Sequence, residues 1–211
     1  LEEWFADLNW GPDKIANERK EIVATKTMGR TTEVSADWST ICDIYENALQ
    51  RLRVDVPDIT VAGGHSSHSY INGTNMYFIY YYNVNCPPEQ EVEKYRTEIN
   101  RVICEETLKL GGSVVHHHGM GKARTPWIRE EYDSSYYILE RLKRAFDPKG
   151  ILNPGKIVDA PPIATNLRYG PAYRATSPTT YFDYSPWGGM NGAVEMCSGL
   201  GACRKVLDGT M

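Results

Sequence analysis

Asn75-Met76-Tyr77-Phe78-Ile79-Tyr80-Tyr81-Tyr82-Asn83-Val84 is the stretch on which the fold turns. Aromatic and aliphatic side chains run through it without polar alternation, the pattern of a strand buried on both faces. Asn72-Gly73 marks a turn before it, and Pro87-Pro88 opens a helix after it. That helix carries Val92, Tyr95, Ile99, Val102, Ile103 and Leu110 at helical spacing and stops at Gly111-Gly112. Upstream, Ile59-Thr-Val-Ala-Gly63 reads as a short strand. Before it, Asp37 is placed to cap a helix with Ile41, Ile44, Tyr45, Ala48, Leu49 and Leu52 on one face. Farther out, Ile22 to Val34 reads as a first strand and Ser113 to His116 as a last one. A final helix from about Ile128 carries Leu139, Leu142, Ala145 and Phe146 and ends at Asp147-Pro148. The β-α-β-β-α-β order predicts an α+β fold, a ferredoxin-like antiparallel sheet with helices packed on one face.

Composition changes near residue 158. Residues 158–211 hold 7 of the 18 glycines and 5 of the 12 prolines, with no sustained period, and read as an extended C-terminal tail. The expected division is therefore 1–157 as a packed domain and 158–211 as a bridge. Over the 211 residues the formal net charge is -4, which argues against nucleic acid or an anionic membrane as partner. Met76 to Tyr82 is the longest apolar run and is far short of the ~20 residues a membrane span needs. The acidic start, Leu1-Glu2-Glu3-Trp4, carries no signal-peptide pattern. Five cysteines, widely spaced except for Cys197 and Cys203, are no disulfide framework and fit a reducing cytoplasm.

Histidine placement carries the chemistry. All five lie in two short segments, His65 and His68 after one strand and His116-His117-His118 at the end of another. A strand would put His116 and His118 on one side and His117 on the other. Gly119-Met120-Gly121-Lys122 follows as a flexible turn ending in a cation. Clustered imidazoles offer proton transfer, hydrogen bonding or metal ligation; the plainer reading is a surface loop. A zinc hydrolase has little support, because neither segment contains a carboxylate. Tyr70 is an acid/base candidate only if neighbouring cations lower its pKa, and otherwise one loop tyrosine among fourteen. Cys197-Ser-Gly-Leu-Gly-Ala-Cys203 could turn two thiolates toward an iron–sulfur cluster, although a cubane cluster wants four.

Gly111-Gly-Ser-Val-Val-His-His-His-Gly-Met-Gly-Lys122, Trp127 and Phe146-Asp-Pro-Lys-Gly-Ile-Leu-Asn-Pro-Gly-Lys156 together resemble the C-terminal domain of FAD-linked oxidases of the vanillyl-alcohol oxidase superfamily. The resemblance covers most of residues 15–157 and implies a cap over a flavin held by a separate FAD-binding domain upstream. The triple histidine and Ser69-Tyr70 are most similar to the alkyldihydroxyacetonephosphate synthase group. That likeness implies Tyr70 as acid/base, with His116, His117 and His118 lining the flavin face. It also implies Arg19 as a substrate anchor, though Arg19 reads equally well as a solvated charge in Glu18-Arg19-Lys20-Glu21. Lys122 is a second candidate for a carboxylate or phosphate, and Asn153 falls in a loop near the flavin. Related D-lactate and D-2-hydroxyglutarate dehydrogenases hold a metal with two histidines and a Glu-His-Gly segment, where this sequence has His117 in place of the glutamate.

The tail is similar to the bridge into a fused ferredoxin-type domain, with Cys197 and Cys203 as an incomplete ligand set for a 4Fe-4S cluster. The sequence is thus expected to be the substrate domain of an FAD-dependent dehydrogenase acting on a small hydroxy acid or alcohol. It would pass electrons to an iron–sulfur domain downstream and be inactive alone. The alternatives are synthase-like alkyl transfer and a non-catalytic metal-binding module.

Overall fold

The computed structural model describes residues 12–167, 170, 173–176 and 178–197. The chain divides into two compact units, Leu1–Thr165 and Asn166–Met211. In the first, helix α1 (Pro12–Thr25) leads into strand β1 (Thr27–Asp37), helix α2 (Ile41–Asp55), and strands β2 (Ile59–His65) and β3 (Gly73–Asn83). A π-helical segment, Val92–Thr97, runs into α3 (Glu98–Lys109), followed by α4 (Gly121–Tyr132) and α5 (Tyr136–Phe146). The second unit has a short 3-10 turn, Ser185–Trp187, and helix α6 (Met190–Glu195) among irregular chain.

The sheet is antiparallel with order β1-β3-β2, so the aromatic strand lies at its centre. Val34, Phe78, Tyr80 and Tyr82 join Ile44, Ala48, Leu49 and Leu52 of α2 and Ile99, Val102 and Ile103 of α3 in one core. Burial of such side chains at ~1.5–3 kcal/mol each is what drives α2 and α3 onto this face. The other face is more open than a strand buried on both sides allows, since Tyr81 is 46% exposed. A second core, formed by Cys104, Val114, Trp127, Ile128, Tyr136 and Ile163, packs α4 and α5 against α3. Its burial pushes the Cys104 thiol up to about 12, which leaves it an inert packing group.

Four local expectations change. Ile22 to Thr25 finish α1, and the strand starts only after Lys26, which closes that helix through Ile22 O and turns at φ 55°. Asp37 ends β1, and Thr40 takes the N-cap position of α2. The last helical region begins at Gly121, ahead of Ile128, and breaks at Asp133–Ser135. Ser113 to His116 form a single bridge to Ser35 in place of a fourth strand. The physical reason is capture of the backbone donors by side chains. Val114 N–H donates to the Glu131 carboxylate (2.9 Å), Val115 N–H to Ser113 Oγ (3.3 Å) and His117 N–H to Glu33 (3.3 Å). A segment whose N–H groups are spent this way cannot extend a ladder.

Two further links fix the segment. A buried chain of polar groups joins Tyr80 to Thr32 (3.0 Å), Thr32 to Asn100 (3.1 Å), and Asn100 to Arg124, whose Nε donates to Val114 O (3.1 Å). Gly112 lets the chain pass close to β1, because a Cβ there would meet Thr107 Cγ2 at 2.8 Å and Ser35 O at 2.9 Å.

Candidate active site

β1 and β3 present Glu33, Asn75 and Tyr77 on the sheet face away from α2 and α3, with Glu33 paired to Tyr77 in register. All five histidines gather around this row. His65, opposite Tyr77 on β2, stacks on its ring at 5.1 Å, and His118 meets the same ring edge-on at 5.0 Å. The His68 ring lies 4.7 Å from His117 and 5.4 Å from His116. Asn75 sets the His68 loop by accepting the Ser67 and His68 backbone N–H groups at 3.0 Å each.

Tyr70 closes the cluster. Its hydroxyl lies 2.8 Å from His116 Nε2, and its backbone is held by Trp38 Nε1–H donating to its carbonyl at 2.9 Å. Tyr70 as a whole is 52% exposed. On the far side of His116, Nδ1 lies 2.8 Å from Glu33 Oε1, and His117 Nδ1 lies 3.1 Å from the same oxygen. Glu33 is fully buried, so its carboxylate oxygens are met by these imidazole nitrogens rather than by bulk solvent. His118 is held below the ordinary histidine value of 6.5, first by partial desolvation and then by repulsion from His117.

The structure therefore brings Tyr70, His116, His117 and His118 together. It corrects the alternation expected of a strand, because His116 and His117 both turn Nδ1 toward Glu33. Lys122 stands in the first turn of α4, its ammonium donating to Thr165 O. Arg19 is exposed on α1, and Asn153 sits at φ 47° on an exposed loop; both lie outside the contacts that tie the cluster together. Cys197 is exposed, and Cys203 lies outside the described residues. Glu33 and Tyr77 are the site residues that sequence reasoning passed over. The available signal for Glu33 was a lone acid between Thr32 and Val34, both predicted to be in a strand.

Two clefts flank the cluster. One of about 900 Å³ is lined by Arg30, Arg96, His118, Lys122 and Arg124 together with Glu18 and Glu21. The other, about 240 Å³, has Tyr70 and His116 on its wall. His68, His116 and His117 each offer a ring nitrogen, all within 4.8 Å of one another. A cation gathered there would have to break into His116, whose two nitrogens are already engaged by Glu33 and Tyr70.

The first unit is thus a small antiparallel sheet backed by helices, with an imidazole–phenol cluster on its other face. Residues 12–157 match the family described as FAD linked oxidases, C-terminal domain, and the chain belongs to it. The FAD-linked oxidoreductase YgcU of Escherichia coli (strain K12) is 57% identical over 74% of this chain and 33% of its own length. Alkyldihydroxyacetonephosphate synthase of Dictyostelium discoideum is 35% identical over 60% of this chain and 21% of its own length. D-lactate dehydrogenase of Archaeoglobus fulgidus is 33% identical over 31% of the chain and 15% of its own length. A solved structure of alkyldihydroxyacetonephosphate synthase aligns with a TM-score of 0.40 at 24% identity, over 61% of this chain and 20% of that one. The chain thus spans about a third of the length of the Escherichia coli relatives it matches. No helix among the described residues is long and apolar enough to cross a membrane.

Proposed function

We propose that this chain is the substrate-facing domain of an FAD-dependent oxidoreductase that oxidises a small hydroxy acid or similar alcohol. The observation that carries the reading is the Tyr70 hydroxyl 2.8 Å from His116 Nε2 on an exposed face. Tyr70 takes the proton of the substrate hydroxyl while passing its own to His116 Nε2. His117 and His118 stand beside that exchange as further proton acceptors. Arg30, Arg96, Lys122 and Arg124 outnumber the acids lining the larger cleft, which suits a carboxylate or phosphate on the substrate. Arg19, exposed on α1, is carried as a further anchor.

The exposed imidazole rings of His117 and His118 offer stacking faces and neutral hydrogen-bonding nitrogens, a donor set that fits a flat heteroaromatic group such as the flavin. We assign His117 and Asn153 to its binding from this domain, an FAD-binding domain upstream holding the rest. When bound, FAD supplies the acceptor for the two electrons.

The finer reading, electron transfer to a downstream iron–sulfur domain, rests on the resemblance of the tail to a bridge into such a domain and on the Cys197–Cys203 spacing. The described residues do not make a cluster site: Cys197 is the one described cysteine of its unit, and Cys104 is buried in a core of the other. No step is derived through a cluster. Iron and acid-labile sulfide analysis of the intact protein tests this part, and an iron-free protein overturns it.

Alkyl transfer is the second reading, favoured by the 35% identity to the Dictyostelium synthase. Anaerobic mixing of the intact flavoprotein with a panel of 2-hydroxy acids and sugar alcohols separates the two. Bleaching of the flavin absorbance by one of them supports the oxidoreductase. Persistence of the oxidised spectrum with all of them, alongside exchange of an acyl for an alkyl group on a phosphorylated ketone, selects the transferase.

A further inference from the structure

We propose that Glu33 is a positioning residue that sets the tautomers of both His116 and His117, leaving two Nε2 lone pairs facing the ligand side. The proposal deepens the acid–base reading of the Tyr70–His116 pair and rests on it for its catalytic meaning. Its structural content stands separately.

Donors and acceptors decide the tautomers. An ionised carboxylate only accepts hydrogen bonds, and a neutral imidazole has one donor and one acceptor nitrogen. Glu33 Oε1 lies 2.8 Å from His116 Nδ1 and 3.1 Å from His117 Nδ1, while Oε2 takes the His117 backbone N–H at 3.3 Å. An Nδ1 lone pair in either place would oppose a carboxylate lone pair inside a site where Glu33 has no water. Both rings must therefore carry the proton on Nδ1. The two Nδ1 atoms are 3.0 Å apart; with a proton on each, both donate to the shared Glu33 oxygen and neither accepts from the other.

The consequence falls on the opposite nitrogens. His116 Nε2 can only accept, so in its 2.8 Å contact with Tyr70 the phenol is the donor. Tyr70 is thus aimed with its proton directed into the protein and its lone pairs outward, ready to receive a substrate proton as it gives up its own. His117 Nε2 is likewise an acceptor, on a side chain 35% exposed. A protonated histidine formed during turnover keeps its charge next to the Glu33 carboxylate. One buried carboxylate therefore organises two bases, and the hydrogen bond that holds His117 N–H also explains why the chain leaves the sheet there.

Two-bond proton–nitrogen spectra of the chain labelled with 15N-histidine read the tautomers directly, without any substrate. At a pH where the rings are neutral, His116 and His117 should both show a protonated Nδ1 and a bare Nε2. Glu33→Gln must set its NH2 either against the His117 backbone N–H, which cannot change, or against the two Nδ1 atoms, which can, so at least one ring should switch to the Nε2–H form. Glu33→Asp, with shorter reach but the same charge, should restore the Nδ1–H form at one ring or both. In the intact flavoprotein, Glu33→Gln should lower kcat by about 100-fold while KM changes far less, because the substrate's anchoring groups are untouched. Wild-type spectra showing Nε2–H at either ring would overturn the proposal, even if Glu33→Gln fails to fold. So would a Glu33→Gln chain that keeps both Nδ1–H forms. If the tautomers are as stated but no alcohol reduces the flavin, the oxidoreductase reading fails and the role of Glu33 stands.

Discussion

At the scale of single residues, the site separates reach from support. Tyr70 is half-exposed and touches the cluster mainly through its hydroxyl, so Tyr70→Phe removes a proton route and little packing. In the intact protein its flavin reduction should slow by about 100-fold, while thermal stability stays within about 0.5 kcal/mol of the parent. An equal loss of stability and activity would instead make Tyr70 a structural residue. His118 gives a pH test. Its value lies below 6.5 in the fold, so on acidification the unfolded chain protonates this ring first. Its share of stability is complete above that value and declines as pH falls below it. A proton NMR titration should place the His118 midpoint under 6.5, and His117→Asn should move it upward by removing a neighbouring charge. The triple histidine was legible in the sequence because clustering is a local signal, whereas Tyr70 was singled out only through the family resemblance. Glu33 was not, since nothing in Thr31-Thr32-Glu33-Val34 says that a segment some eighty positions later will fold over it.

At the scale of elements, α2 and α3 could be read from spacing, because their buried faces repeat with the helical period, and β2 and β3 from runs of β-favouring residues. The fourth strand could not. Val, Ser and His at 113–116 favour a strand locally, but the Glu131 and Glu33 carboxylates claim their N–H groups from distant elements. Ile22 to Val34 misled for a related reason, since apolar Ile22 and Val23 continue a helix begun at Pro12 in a stretch rich in helix formers. The hinge of the site is Gly112, between α3 and the Ser35–Ser113 bridge. Gly112→Ala puts a methyl against Thr107 and the Ser35 carbonyl, and backbone cannot yield as a flexible side chain can. Denaturant unfolding should show a loss of about 1–3 kcal/mol. The histidine spectra should shift as well, because the segment that carries His116 is displaced; unchanged spectra would mean that this close approach does not set the site.

At the scale of the whole molecule, one feature is out of balance with the rest. α5 carries Ile138, Leu142 and Phe146 at four-residue steps, and they are 59, 51 and 81% exposed. Ile151 and Leu152 just beyond are exposed as well. A helix of a self-sufficient domain turns such a stripe inward, and α5 does so only with Tyr136 and, in part, Leu139. Contiguous exposed apolar surface marks an interaction face, and the chain spans only about a third of the length of the Escherichia coli relatives it matches. Produced alone, the 211-residue chain should therefore bind an apolar dye such as ANS and self-associate as its concentration rises. Leu142→Lys with Phe146→Lys should suppress both effects without lowering thermal stability, because neither side chain contributes to a buried core. Dye binding that persists in the double variant would place the sticky surface elsewhere. A fall in stability would show that the stripe is packed in solution, and α5 would then have to sit differently on the second core.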